Sequence, residues 1–321
     1  MEPGQIDVGI HPDHPVTQTV AFARSVEAAG FTGLWIADSQ HLFRDCVVST
    51  TAVALATDRI PLGIGVTNPV LRHPSVLAGA AASLEELVPG RLTLGLGSGE
   101  TAVQTAGERP ATIAQMEEAL LTCRDYLASP WGGPRRTVPL VLAATGPRAL
   151  ALAGRLADSA YMKIGCDHRL LGWASEQIAA GGQSAARTTP CSTTLLLPVG
   201  LGDSLEDAYR EVAGFAAATA GAVHQAVPRG VVAANRQAGL DTVAELVQKA
   251  RRSESYAVWL DDPARIGDLP RQALDMFCIA SDDVREVAER LRALPVDRVV
   301  IPLLTRRRDE QLARLAGVLA S

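Results

Sequence analysis

The segment RLTLGLGSGE, residues 91–100, is an alternating apolar run that ends in closely spaced glycines and a glutamate. The alternation predicts a β-strand, and the glycines raise the question of a phosphate-binding loop of the dinucleotide-binding kind. The spacing disfavours such a loop. The pattern Gly95-x-Gly97-x-x-Glu100 lacks the third small residue, and no ribose-binding acid follows about 20 residues later on a further strand. We therefore interpret the segment as a strand of a different parallel fold.

Outward from this segment, two kinds of sequence alternate along the chain. Short Leu-rich and β-branched runs alternate with longer Ala-rich segments of helical period, which is typical of repeated βα units. Eight strands are predicted, at 5–10, 31–39, 59–69, 91–100, 137–145, 158–165, 193–202 and 296–304. The count predicts an α/β fold, namely a single (β/α)8 TIM barrel over residues 1–321, with a doubly wound sheet as the alternative. The stretches 170–191 and 222–271 are longer than a simple crossover needs and are predicted insertions.

Composition and charge exclude several classes of protein. The chain has 321 residues, 47% of them hydrophobic, and a net charge of −5, which fits a globular protein with a large core. The arginines at 306–308 are followed by acidic residues, so no basic stripe predicts nucleic-acid binding. Five cysteines without a CxxC pair predict free thiols and no metal site. No apolar run reaches membrane-spanning length and no targeting segment is evident, so we expect a cytoplasmic protein without a membrane partner.

The candidate site follows from the fold, because TIM-barrel active sites lie at the carboxyl ends of the strands. Small and polar residues end the predicted strands: His11, Asp38, Ser39, Thr67, Asn68, Gly97, Ser98, Gly99, Glu100, Ala144, Thr145, Gly146, Lys163 and Gly165. Glycines there let a flat ligand approach the backbone, although they can equally relieve crowding inside the barrel. Gly146 and Arg148, at a helix start, form a candidate anion site, to which Lys163 could add a charge.

Three motifs together carry a family resemblance. LWIADSQH (34–41), LGIGVTNPVLRHP (62–74) and LTLGLGSGE (92–100) resemble the bacterial-luciferase-like superfamily. Within it they are most similar to the branch that uses the deazaflavin coenzyme F420, including the methylenetetrahydromethanopterin reductases. The resemblance implies a luciferase-like barrel, a homodimer, a flavin or deazaflavin ring across the barrel mouth, and a cis peptide bond between Gly65 and Val66.

The strand ends and the resemblance together give the candidate site residues. Asp38, Glu100 and His11 are the candidate catalytic residues. The candidate cofactor-binding residues are Asp38, Ser39, Gly65, Val66, Thr67, Asn68, Gly97, Ser98, Gly99, Glu100, Ala144, Thr145, Gly146, Lys163 and Gly165. Many relatives carry a histidine directly after the strand-two aspartate and a tryptophan four residues further on, a pair that takes a proton from an alcohol. This chain has Ser39 and Phe43 there.

We therefore expect an F420-dependent reductase. It would transfer hydride from reduced F420 to a C=N or C=C bond of a small molecule, such as a biosynthetic intermediate. An FMN-dependent two-component monooxygenase on the same barrel is the alternative, with FMN as the cofactor. A non-catalytic barrel subunit of a hetero-oligomer is an alternative of another class.

Overall fold

The computed structural model describes residues 5–253, 270–303 and 307–320. Within these ranges there are ten β-strands. They are β1 (Gln5–Ile10), β2 (Leu34–Ile36), β3 (Leu62–Thr67), β4 (Leu92–Leu96), β5 (Leu140–Ala144), β6 (Ser159–Met162), β7 (Ser192–Leu196), β8 (Val199–Leu201), β9 (Ile279–Ser281) and β10 (Arg298–Leu303).

The same ranges contain twelve α-helices. They are α1 (Val16–Ala28), α2 (Cys46–Ala56), α3 (Pro74–Leu87), α4 (Glu100–Thr105), α5 (Ile113–Ala128), α6 (Pro147–Leu156), α7 (His168–Ser184), α8 (Leu205–Ala226), α9 (Ala234–Ser253), α10 (Arg271–Leu274), α11 (Val284–Arg292) and α12 (Arg308–Ala320). Side chains cap several of them: Asp45 and Asp167 accept hydrogen bonds from the first turns of α2 and α7. In the described part of the chain, no helix is long and apolar enough to cross a membrane.

Eight of the strands close into a barrel of parallel strands, in the order β1-β10-β7-β6-β5-β4-β3-β2. Strand β10 pairs with β1 along its whole length, from Gln5 opposite Arg298 to Ile10 opposite Leu303. The last barrel strand of the chain thus closes the barrel on the first. The predicted (β/α)8 TIM barrel is confirmed, and the doubly wound alternative is wrong.

The predicted seventh strand, 193–202, is divided in the structure. Residues Ser192–Leu196 form barrel strand β7, whereas Val199–Leu201 form β8, which pairs with β9 in a separate two-stranded parallel sheet. Pro198 lies between the two and has no N–H group to donate to a strand ladder. Its carbonyl oxygen accepts a hydrogen bond from the N–H of Ile279, at the start of β9. The chain therefore leaves the barrel at Pro198.

The two stretches predicted as insertions have different places in the fold. The stretch 170–191 consists mainly of α7, which is itself the connection between β6 and β7. The stretch 222–271 includes the end of α8, all of α9 and the start of α10, and it lies between the seventh and eighth barrel strands. Residues 254–269 of this stretch lie outside the described residues.

A tryptophan explains the two glycines of strand β3. Trp35 lies inside the barrel with Tyr161, their ring centroids 5.2 Å apart. A Cβ atom at Gly63 would lie 2.3 Å from Trp35 Cε3, and one at Gly65 would lie 2.7 Å from the same atom. Real Cβ atoms essentially never approach that closely, so the glycines on β3 provide space for the Trp35 ring.

The amino-terminal end of the barrel is held by a buried carboxylate. Asp7 is fully buried and accepts hydrogen bonds of 2.7 Å from Trp35 Nε1 and from Thr32 Oγ1. Arg298 of β10 also pairs with it. These contacts join β1, β2 and β10 at the end of the barrel opposite to the candidate site. Residues at this end of a TIM barrel typically contribute to stability and not to catalysis.

Candidate functional site

A cavity of about 750 Å³ opens at the carboxyl ends of the barrel strands. It brings together twelve of the residues predicted from sequence: Asp38, Gly65, Val66, Asn68, Gly97, Ser98, Gly99, Glu100, Ala144, Thr145, Gly146 and Lys163. Leu142, Ala143 and Leu196 add apolar wall between the polar residues. The volume lies within the range typical of cofactor and ligand pockets, roughly 300–1,000 Å³.

Asp38 follows β2 and has two unequal carboxylate oxygens. Oδ2 accepts a hydrogen bond of 2.6 Å from Thr67 Oγ1 and another of 2.6 Å from Arg72 Nη1. Oδ1 is buried and has no hydrogen-bond partner among the described residues. Only 2% of the Asp38 side chain is exposed. A buried carboxylate oxygen without a partner is costly, so Oδ1 is suited to accept a hydrogen bond from a ligand.

The peptide bond between Gly65 and Val66 is cis, as the family resemblance implied. Val66 lies next to Gly95 of β4 and to Gly97 directly after β4: a Cβ atom at Gly97 would lie 2.6 Å from Val66 Cγ2, and one at Gly95 would lie 2.9 Å from Val66 Cγ1. Gly97 therefore makes room for the Val66 side chain, and Gly95 makes room for it and for the backbone oxygen of Ile64, which a Cβ atom would approach to 2.5 Å. Gly97 also lines the cavity, so one residue serves both purposes.

Glu100 begins helix α4, directly after a turn that depends on glycine. Gly99 has φ +80°, and a Cβ atom there would lie 2.4 Å from Val103 Cγ2 and 2.8 Å from Asn68 Cβ. Asn68 in turn stabilises its own loop, because its Oδ1 accepts hydrogen bonds from the N–H groups of Val70 and Leu71. The exposed Glu100 side chain is thus held at the cavity edge by a well-defined turn.

The opposite side of the cavity is basic. Gly146 is the N-cap of α6, and Arg148 and Ala149 in the first turn line the cavity. The first N–H groups of a helix have no partner within it and favour anions. Lys163, which follows β6, also lines the cavity, and its Nζ lies 4.6 Å from the centre of the Phe215 ring.

Four of the predicted site residues do not line the cavity: His11, Ser39, Thr67 and Gly165. Thr67 lies behind Asp38, to which it donates a hydrogen bond. The Ser39 hydroxyl is buried without a partner among the described residues. Gly165, with φ +82°, packs closely against the backbone of Met276.

His11 stacks on Phe43, with ring centroids 4.2 Å apart. Burial, and then the positive charge of Lys163, lower the pKa of His11 from its usual 6.5 to about 3. The imidazole is therefore neutral near pH 7 and carries no proton that it could give up there as an imidazolium.

Several lining residues were not predicted from the sequence. Tyr161 lies inside the barrel, and Ala222, Gln225 and Ala226 come from the last turns of α8. Arg72, which holds Asp38 from outside the cavity, was also missed. Only Arg72 had a signal: it is the one arginine of the motif LGIGVTNPVLRHP.

Known proteins resemble this chain in sequence. The family model described as luciferase-like monooxygenase matches residues 1–299. The chain belongs to this luciferase-like family. A 5,10-methylenetetrahydromethanopterin reductase from Methanolobus tindarius is 34% identical over 196 residues, 55% of this chain and 59% of the relative. An F420-dependent hydroxymycolic acid dehydrogenase from Mycobacterium tuberculosis is 32% identical over 267 residues, 71% of each chain.

A solved structure has the same fold. The coenzyme F420 dependent tetrahydromethanopterin reductase from Methanopyrus kandleri superposes with a TM-score of 0.78, at 18% identity, over 98% of this chain and 97% of that one. The resemblance to the luciferase-like family, and to members named for F420, is thereby confirmed. The match to the Methanolobus tindarius reductase spans less than two thirds of that relative's length.

Proposed function

We propose that this chain is an F420-dependent oxidoreductase that reduces a C=N or C=C bond of a small molecule. The observation that carries the proposal is the separation of charge around the cavity. Carboxylates follow β2 and β4, at Asp38 and Glu100, whereas the α6 N-terminus, Arg148 and Lys163 follow β5 and β6. A coenzyme with an anionic tail and a flat ring fits this arrangement, with the tail at the basic side.

The residues at the mouth suit such a coenzyme. The tail would lie against the first turn of α6, near Arg148 and Lys163. The ring would lie against the apolar wall formed by Val66, Ala143 and Leu196. Bound in its reduced form, F420 would supply the hydride. The protein's own residues would orient the reactants, exclude water and hold or transfer protons.

Two carboxylates are available for proton transfer. Asp38 lines the cavity and its Oδ1 is buried without a partner among the described residues, whereas Glu100 is exposed at the cavity edge. Ser39 and Phe43 cannot take a proton from an alcohol as a histidine and tryptophan pair would. The substitution favours acceptors with C=N or C=C bonds over alcohol substrates.

Binding separates this proposal from its alternatives. We expect the fluorescence of oxidised F420 to be quenched when it binds to the full chain. The melting temperature of the protein should rise as well, since a ligand stabilises the fold it binds. Tight FMN binding without F420 binding would instead favour the two-component monooxygenase that the family's description allows. A chain that binds neither coenzyme would fit the non-catalytic subunit.

Glu100→Gln tests the proton-transfer role. Anaerobic oxidation of reduced F420 is followed with a panel of a cyclic imine, a dihydropteridine, a cyclic enone and a quinone. We expect Glu100→Gln to lower turnover about 100-fold, the scale of a lost general acid, with little change in F420 affinity. Glu108→Gln is the matched control, because Glu108 is exposed, follows the same helix and does not line the cavity. Equal turnover in Glu100→Gln and wild type would remove Glu100 from the mechanism.

We further propose that the chain is a single domain that forms a homodimer through helices α2 and α3. Val48 and Leu55 of α2 are seven residues apart, and Val76 and Leu87 of α3 are eleven apart, so each pair lies on one face of its helix. Each of the four residues is between 49% and 69% exposed. Exposed apolar residues grouped on adjacent helices are typical of an interface.

A further inference from the structure

The surroundings of Asp38 divide the work between its two oxygens. Oδ2 accepts both hydrogen bonds, from Thr67 and Arg72, each 2.6 Å long. Oδ1 is buried, has no partner among the described residues and belongs to a residue that lines the cavity. One oxygen is therefore an anchor, and the other is the acceptor that a bound reactant would meet.

Arg72 reaches this carboxylate from outside the cavity. It lies in the loop between β3 and α3 and does not line the cavity. Its second terminal nitrogen pairs with Asp45, the N-cap of α2, and its Nη1 lies 3.5 Å from Cys46 Sγ. Burial opposes the charge of Arg72, but the carboxylates of Asp38 and Asp45 outweigh burial and raise the pKa of the guanidinium. The side chain is thus a fixed, charged fork between two loops.

We propose that Arg72 is a positioning residue: it holds Asp38 Oδ2 so that Oδ1 faces the cavity and accepts a hydrogen bond from an N–H or O–H group of a bound reactant. The identity of the reactants rests on the proposed function, whereas the orientation of Asp38 does not. Thr67 donates one hydrogen bond to the carboxylate, and the buried Cys46 thiol lies beside it. The planar guanidinium of Arg72 adds a second donor in a fixed direction, which a lysine ammonium would do less well.

A purely structural ion pair is the competing explanation. Arg72 would then only tie the loop after β3 to the start of α2, and its contact with Asp45 would matter as much as its contact with Asp38. Asp45→Asn separates the two explanations. Asparagine still caps a helix, so the variant removes the charge opposite Arg72 while it keeps the start of α2.

Crystal structures of the unliganded variants test the geometry. In Arg72→Met we expect the Asp38 carboxylate to turn, so that Oδ1 no longer faces the cavity, and in Asp45→Asn we expect the wild-type orientation. Arg72→Lys keeps a cation at the site and serves if Arg72→Met does not fold; there we expect a partly restored orientation. The proposal is overturned if the Asp38 carboxylate keeps its wild-type orientation in Arg72→Met. If only Arg72→Lys folds, the wild-type orientation in that variant overturns it.

Kinetics test whether the orientation matters. With reduced F420 and the acceptor in the panel that wild type reduces fastest, we expect Arg72→Met to lower kcat about 100-fold, the scale of a misplaced catalytic group. In the Asp38→Asn background the same change should cost less than about threefold, because Arg72 acts through Asp38. The proposal is contradicted if Arg72→Met lowers kcat by the same factor in the wild-type and Asp38→Asn backgrounds. It is also contradicted if Asp45→Asn alone lowers kcat as much as Arg72→Met does.

Arg136→Met is the control for general destabilisation. Arg136 is a half-buried arginine paired with Glu86, and it precedes β5 at the opposite end of the barrel. We expect its kcat to stay within about twofold of wild type. If wild type binds no F420, the proposed function fails, and the crystal structures alone decide whether Arg72 orients Asp38.

Discussion

At the scale of single residues, His11 links burial to acid stability. Because its pKa falls from 6.5 to about 3 on folding, the unfolded chain takes up a proton below pH 6.5 that the folded protein refuses. The stability from His11 is therefore complete above pH 6.5 and is lost as the pH falls towards 3. Within that window the loss is at most about 1.4 kcal/mol per pH unit.

We expect His11→Gln to flatten this acid limb, because glutamine does not titrate. The free energy of unfolding is measured by urea denaturation at pH 7, 5.5 and 4.5. His41→Gln is the control, since His41 is an exposed residue of the neighbouring loop. The prediction is wrong if the two variants lose the same stability between pH 7 and 4.5.

At the scale of elements, strand β3 is shaped by the ring of Trp35. A Cβ atom at Gly63 would lie 2.3 Å from Trp35 Cε3, and Trp35 belongs to a buried cluster inside the barrel. We expect Gly63→Ala to lower the free energy of unfolding by about 1–3 kcal/mol, the cost of overpacking a core.

Gly172→Ala is the matched control: Gly172 lies in α7, is exposed and has no atom near the position that a Cβ would take. There we expect a gain of about 0.5–1 kcal/mol from helix propensity. Urea denaturation of both variants measures the difference, and an equal response would exclude the Trp35 contact as the cause.

The elements also show what the sequence could predict. Buried parallel strands separated by amphipathic helices give a strong pattern, so the eight barrel strands were found. Strand β9 and helix α4 were missed because three and six residues are too few to display a period.

The residues that end the strands could be predicted because the strands themselves could be. Which of them reach the cavity depends on the direction of each side chain. The Thr67 hydroxyl points to Asp38, and the Val66 side chain packs against Gly95 and Gly97. Arg72 lies in a loop without periodicity, so only the folded chain shows its role.

At the scale of the whole molecule, helix α2 is predominantly apolar and carries no charged residue, although one of its faces is exposed. Val48 and Leu55 are 58% and 69% exposed, and Val76 on the neighbouring α3 is 59% exposed. A helix that is hydrophobic all round is normally buried, so a second copy of the chain is the simplest cover for this face.

We expect the double substitution Leu55→Glu and Val76→Glu to halve the mass of the particle measured by light scattering after size-exclusion chromatography. Like charges brought together across a symmetric interface would repel in a surface that excludes water. Trp131→Ser is the control, because Trp131 is also 58% exposed but lies in the loop after α5. The barrel mouth lies at the strand ends and not on these helix faces, so the monomer should still bind F420. A wild-type chain that is already monomeric, or a mass that the double substitution leaves unchanged, would contradict the α2 and α3 interface.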